Sequence, residues 1–153
     1  MDVIDFKIIE ALKENSRATT SEISKKVCLS IPAVAERMRK MEEADIIEKY
    51  TIKVNREKIN QKLLAFIFVD IDKTDNIEDF RKSIVQYSPV LECHHVAGEY
   101  DYLLKVLVED TKALEYFLSN TLKKIKGVLK SNTIIVLSSL KENINIWEVA
   151  IWF

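Results

Sequence analysis

Three short stretches of this 153-residue chain carry side chains whose types and spacing could do chemistry. Lys25, Lys26, Arg37, Arg39 and Lys40 crowd into a stretch that holds a single acid, Glu36, a local density of positive charge suited to phosphate. Cys93, His94 and His95 are consecutive ligand types for a soft metal. Gly98-Glu99-Tyr100-Asp101-Tyr102 joins one of only two glycines to carboxylates and phenols, groups that can meet a small charged ligand. What each stretch can do depends on the element that positions it.

The metal reading fails on spacing. Neighbours on a strand point to opposite faces, so at most Cys93 and His95 share one, and no second ligand pair occurs elsewhere in the chain. We expect no metal and no cofactor. Catalysis fares no better: the two histidines are adjacent, and Ser138-Ser139 have no histidine near them in sequence. Charge is nearly balanced, with 23 basic against 24 acidic residues, which rules out a globally basic coat, so any nucleic-acid contact comes from local placement. No apolar run reaches the roughly 18 residues of a membrane span. The opening MDVIDFKIIEALKEN is charged and helix-patterned, unlike a signal peptide. Two cysteines without a pairing pattern fit a reducing cytoplasm, so the expected location is cytoplasmic, with no membrane partner.

The first fifty residues predict three helices. Ile4, Ile8 and Leu12, supported by Phe6, Ile9 and Ala11, recur at helical spacing from Asp2 to Glu14. Thr19-Thr20-Ser21-Glu22 has the form of a capping box opening a short helix with Ile23 and Val27. After a bend, Ser30 is an N-cap and Pro32 sits in a first turn where no intrahelical donor is lost. Ile31, Val34, Met38 and Met41 form a core stripe, with Ala33, Glu36, Arg37, Arg39 and Lys40 turned wholly or partly away from it. Two short helices joined by a tight turn, the second amphipathic and basic, make a helix-turn-helix. Its expected partner is double-stranded DNA. Ser30, Pro32 and the first-turn amides would meet phosphate, Ala33, Glu36, Arg37 and Lys40 would lie nearest to bases, and Arg39 and Lys25 would add charge. IIEKYTIKV then predicts a small wing strand, and the polar NREKINQK a linker over residues 55–62.

Residues 63–141 read as strand, helix, strand, strand, helix, strand. LLAFIFVDI is a strand rich in aromatic and β-branched residues. Ile77, Phe80, Ile84 and Tyr87 recur at helical spacing up to Pro89. VLECHHVA and DYLLKVLV are strands joined at Gly98, Thr111 to Lys126 is helical with Gly127 as its C′ glycine, and VLKSNTIIVLSSL is a last strand. The class is α+β: a helix-turn-helix over residues 1–54, then a ferredoxin-like βαββαβ unit with both helices on one face of an antiparallel sheet. The other sheet face is too apolar to stay wet, so it should pair with another subunit.

The opening DVIDFKIIEALKENSRATTSEIS, the block LSIPAVAERMRKMEEADII, the strand AFIFV and above all AGEYDYLLKV with its following helix and GV carry a resemblance. Over residues 2–141 the chain resembles the leucine-responsive regulator and asparagine-regulator (Lrp/AsnC) family of transcriptional regulators. The resemblance implies a winged helix-turn-helix joined to a ligand-sensing domain. It also implies an even-numbered self-assembly (homodimer, tetramer or octamer) and an amino-acid effector, aliphatic or otherwise uncharged. By the same resemblance that effector meets Gly98, Glu99, Tyr100, Asp101 and Tyr102, with help from Thr133 of the same or a neighbouring chain. Gly98 is expected to provide positive φ and close approach, while the alternative is a plain hairpin whose Asp101 caps its own turn. Where the family has glycine this chain has Cys28, Asp45, Lys49 and Asn60. Strain of roughly 1–2 kcal/mol is therefore expected at Cys28 and Lys49. Two other functions stay open: an effector-independent architectural DNA binder, and an enzyme like the sirohaem decarboxylases. The latter is disfavoured because residues 55–141 hold only Arg56 and Arg81 for a polycarboxylated macrocycle.

Residues 142–153 form an apolar tail, NINIWEVAIWF at its end, in which Trp147, Val149, Ile151 and Phe153 alternate with Ile146, Ala150 and Trp152. Exposed together, these aromatics would invite aggregation, and burying one removes roughly 150–250 Å² from water. Residues 144–152 are thus expected to form an extra strand at a subunit contact. Deleting residues 143–153 should lower the oligomer mass in light scattering; an unchanged mass with only a lower melting temperature would make the tail a local cover.

Overall fold

The computed structural model describes residues 1–145 of the chain. It resolves two compact units, one containing residues 1–54 together with 141–145, the other residues 55–140. The expected tail strand lies outside the described residues except for its first two positions, 144 and 145, which form no strand.

In the first unit, α1 (Val3–Glu14), α2 (Thr20–Val27) and α3 (Ile31–Glu43) are each started by a side-chain cap. Asp2 and Asp5 cap α1 reciprocally, at 2.8 Å and 3.0 Å, and Thr19 and Glu22 do the same for α2, at 2.7 Å and 3.2 Å. Each reciprocal pair satisfies two backbone donors that helix geometry leaves orphaned. Ile8, Leu12, Ile23, Val27, Val34 and Met41 form the shared core. The stripe expected on α3 holds except at its first member. Ile31 is 46% exposed, because as the first residue of the helix it projects beyond the reach of α1 and α2. The expected strand over IIEKYTIKV is absent: residues 46–54 run as coil, with Tyr50, Ile52 and Val54 exposed. Alternation alone does not make a strand when no described neighbour pairs with its backbone.

In the second unit, β1 (Leu63–Ile71), β2 (Val90–His95), β3 (Tyr102–Val108) and β4 (Val128–Ile135) form an antiparallel sheet in the order β2-β3-β1-β4. α4 (Ile77–Ile84) and α5 (Thr111–Tyr116) cover one face. Ala65, Ile67 and Val69 on β1 pair with Val106, Leu104 and Tyr102 on β3. All six are buried with Phe80, Ile84, Leu114, Phe117 and Leu122 of the helical layer. α4 stops at Ile84, a turn before Tyr87. The predicted long second helix is regular only to Tyr116. It then widens into a π turn over Phe117–Thr121 and tightens into a 3-10 turn over Leu122–Lys124.

Backbone handedness corrects several glycine expectations. Cys28, Asp45 and Asn60 adopt left-handed φ of 55°, 54° and 61°, whereas Lys49 does not. Gly98 does not adopt positive φ either; Gly127 is the only glycine that does, at 91°. Nor does Gly127 act as a helix C′ residue, because Ile125 two positions earlier is already extended. It lies against buried Asn76, where an added Cβ would meet the asparagine Cβ at 2.4 Å. Gly127→Ala is therefore expected to destabilise the unit by at least about 2 kcal/mol, combining left-handed strain with overpacking. Cys28→Gly should raise stability by up to about 1 kcal/mol while Cys28→Val lowers it. Thermal denaturation monitored by circular dichroism reads all three.

Candidate functional site

On α3 the solvent side is formed by Pro32, Ala35, Glu36, Arg39 and Lys40, with Ser30 exposed at the cap and Ala33 half-buried. The hydroxyl oxygen of Ser30 accepts from the Ala33 amide at 3.4 Å. Ile31 and Ala35 join this face and were missed by the sequence reading. The signal that could have found them is the spacing of four residues that stacks positions 31, 35 and 39 in one row. Both are small or apolar side chains of the sort that contact a thymine methyl.

The basic side chains do not all reach outward. Arg37 is drawn back onto α1, its Nη1 donating to Asp2 Oδ2 at 2.8 Å and to Asp5 Oδ1 at 2.7 Å. This ties the recognition helix to the cap of the first helix. The Asp5 and Asp2 hydrogen bonds raise the Arg37 pKa, while the Asp5 amide and then Arg37 hold Asp2 below its ordinary 3.8. Arg39 grips Glu36 with two bonds, Nε to Oε2 at 2.9 Å and Nη2 to Oε1 at 2.8 Å, and also reaches Glu43. Lys40 Nζ stands 3.6 Å from Glu36. Hydrogen bonding from Arg39 is the main reason the Glu36 carboxyl is pulled down to about 2. Lys26 pairs with Glu14 at 2.6 Å. Lys25 makes no close ion pair among the described residues, although its charge acts on Glu22.

The glycine-led loop lies between β2 and β3, closed by the Val96 amide donating to Asp101 O at 2.9 Å. The Asp101 carboxylate caps no amide of its own loop. Oδ2 accepts the Ile71 amide of β1 at 2.8 Å, where the β1–β4 register shifts, and the Asp101 amide donates back to Val69 O at 3.0 Å. Gly98 has nothing within 4 Å of where a Cβ would sit, so its lack of a side chain leaves open space rather than relieving a clash. Tyr100 lies against Phe68, ring centroids 5.5 Å apart, with Lys130 Nζ 4.8 Å above its ring. Lys130 also stands 3.7 Å from Glu99 and 3.8 Å from Asp70.

Tyr102 is elsewhere. It is enclosed in the core, 4.8 Å from Phe80 and stacked on His95 at 5.1 Å, and its hydroxyl accepts from Arg81 Nε at 2.7 Å. Thr133 pairs with Ile67 of β1, so it faces the helical layer, while Tyr100 sits beside Phe68 on the opposite face. Within one chain the sheet thus separates Thr133 and Tyr102 from Glu99 and Tyr100. Thr133 instead helps line an open groove of about 500 Å³ with Leu114, Glu115, Leu118, Lys123 and Ile135. His95 shares the Tyr102 face and Cys93 its neighbouring level, and burial pushes the Cys93 thiol pKa up. Among the described residues no His, Cys, Asp and Glu cluster could hold a metal, and no helix is long and apolar enough to cross a membrane.

Residues 1–48 match the winged helix-turn-helix DNA-binding family, and residues 64–146 match the Lrp/AsnC ligand binding domain. The leucine-responsive regulatory proteins of Klebsiella pneumoniae and Escherichia coli K12 are each 32% identical over 145 residues, 94% of this chain and 88% of theirs. A transcriptional regulator from Neisseria meningitidis, solved as a complex with L-Met, superposes with a TM-score of 0.91 at 35% identity, covering 95% of this chain and 96% of that one. AsnC of E. coli superposes at 0.90 with 25% identity, covering 97% and 99%.

The Arg37 clamp has a pH signature. A carboxyl held below its ordinary pKa stabilises the fold above that value and loses the contribution as pH falls through its folded pKa. Arg37→Met should lower the melting temperature at pH 7, and the deficit should narrow as pH drops below about 4. A deficit that stays constant down to pH 2 would separate Arg37 from the Asp2 carboxylate.

Proposed function

The chain belongs to the Lrp/AsnC family of transcriptional regulators, and on that premise we propose how it works. An even-numbered homo-oligomer binds double-stranded DNA through residues 1–54, and its residues 63–141 sense a free amino acid. The carrying observation is the capped, solvent-facing α3 with its cations, on the same chain as a sensing sheet whose loop leaves open space at Gly98, three residues before Asp101.

α3 enters a major groove. Ser30, Pro32 and the first-turn amides meet phosphate, Ala33, Glu36 and Lys40 approach base edges, and Arg39 and Lys25 supply positive charge. Arg37 serves mainly as a clamp that fixes the angle of α3, since both of its acceptors lie on the first helix. Two copies meet a roughly palindromic site, as dimer symmetry requires, and we take that site to be A·T-rich.

The effector is an uncharged amino acid near Gly98, Glu99, Tyr100 and Asp101. Similarity to a regulator solved with L-Met favours methionine or a side chain of its size. Asp101 keeps a second carboxylate oxygen for an α-ammonium group, because only Oδ2 is used by the Ile71 amide. Tyr102 acts from behind, holding the start of β3. Thr133 faces the helical layer of its own chain, so its contribution comes from a neighbouring chain at a contact other than the one between sheet faces. Assembly covers the sheet face carrying Phe66, Phe68 and Ile134, the last of these 50% exposed. The free thiols Cys28 and Cys93 suit a reducing cytoplasm.

Selection from random duplexes, then anisotropy titration at fixed salt, tests this. We expect a selected site bound at least about 10³-fold more tightly than random duplex. Screening the twenty amino acids should reveal one or more that shift that affinity at least about fivefold. Uniform coating of any duplex with no response across the panel would replace this reading with an effector-independent architectural one. A monomer at micromolar concentration in light scattering would refute the assembly.

A further inference from the structure

We propose that Glu36 is a specificity-determining residue of the DNA-binding face: it holds Arg39 and Lys40 along α3 and so suppresses binding to arbitrary duplex. The inference rests on the DNA-binding reading above and adds a role for an acid within it.

Three observations carry it. Glu36 is exposed in the middle of the solvent face of α3, among the groups that would meet DNA. Both of its carboxylate oxygens are occupied by Arg39, at 2.9 Å and 2.8 Å, with Lys40 at 3.6 Å. Residues 1–54 contain ten bases and ten acids, so the unit has no net charge with which to hold a polyanion indiscriminately. Non-specific binding comes almost wholly from cations that neutralise phosphates and release counterions. A carboxylate that already occupies those cations acts as an internal stand-in for phosphate.

The hold is weak enough to be exchanged. Glu36, Arg39, Lys40 and Glu43, the second acid on Arg39, are all about half exposed or more, so phosphate or base acceptors can compete for the two cations. What remains is Glu36, an anion left beside the anionic backbone. On arbitrary sequence that repulsion is uncompensated. Where a cytosine amino group lies opposite in the major groove, Glu36 gains a donor, and the exchange becomes favourable. Discrimination therefore arises from penalising wrong sites as much as from rewarding the right one.

The test compares full-length wild type, Glu36→Gln and Glu10→Gln on the selected site and on a scrambled duplex across a salt series. Glu10 is an exposed acid on α1 that pairs with no base among the described residues, so its change alters net charge equally without releasing a cation. For Glu36→Gln we expect about tenfold tighter binding to scrambled duplex at low salt. The slope of log affinity against log salt should steepen by about one to two, as for one or two added phosphate contacts. Affinity for the selected site should rise less than that for scrambled duplex, so the specificity ratio falls. Matched melting temperatures establish that the fold is intact. Glu36→Gln with unchanged scrambled-duplex affinity and slope overturns the proposal, as does Glu10→Gln reproducing its effect. A wild type that binds neither duplex overturns this proposal and the DNA-binding reading together.

Discussion

The carboxyl end of β1 is the joint on which the sensing unit depends. Three hydrogen bonds and two strand pairings meet within the space of a few residues there. Val69 O accepts from the Asp101 amide, the Ile71 amide donates to the Asp101 carboxylate, the Asp72 amide donates to Gly127 O, and Val69 pairs with both β3 and β4. Asp72 Oδ1 also accepts from Asn76, the residue packed against Gly127. The loop before β3, the turn before β4 and the entry to α4 are therefore fixed by the same short stretch. A ligand that altered Asp101 would act directly on the centre of the sheet, through a hydrogen bond that closes a register shift. In a densely packed interior such a displacement is passed on rather than absorbed.

The helical unit solves a different problem by different means. Its core is small, and it relies on caps to satisfy helix ends and on ion pairs to orient helices. Asp2 and Asp5 illustrate both: they cap α1 and hold Arg37 of α3 with the same carboxylates. The angle of the recognition helix is thus linked to the start of the first helix by groups already needed for its formation.

Features governed by local chemistry were legible in the sequence. The capping box at Thr19 and Glu22, the Ser30 cap and the span of β1 were all readable, because each depends on residues within a turn or on simple alternation. What escaped depends on partners distant in sequence. Nothing near Arg37 says that its acceptors are Asp2 and Asp5, so a basic residue on α3 read as a base contact. Gly127 read as a helix terminator because Asn76, the reason for its missing side chain, lies some fifty positions earlier. The π turn after Tyr116 preserves apolar periodicity while changing its pitch. The split of the loop residues and Thr133 between two sheet faces needed the register of β4 on β1.

That register has a further consequence while the chain is being made. Among the described residues β4 is the last strand to emerge, roughly 60 residues after β1, and at about 5–20 residues per second the interval is about 3–12 s. Throughout it, LLAFIFVDI has one unpaired edge, with Ala65, Ile67 and Val69 awaiting a lid of later helices. Two nascent chains on one messenger would then present each other with complementary apolar edges, a template for mispairing. The early β2–β3 hairpin, which can occupy the other edge first, halves that hazard. How long that edge stays open during synthesis is therefore set by strand order, not by the stability of the finished protein.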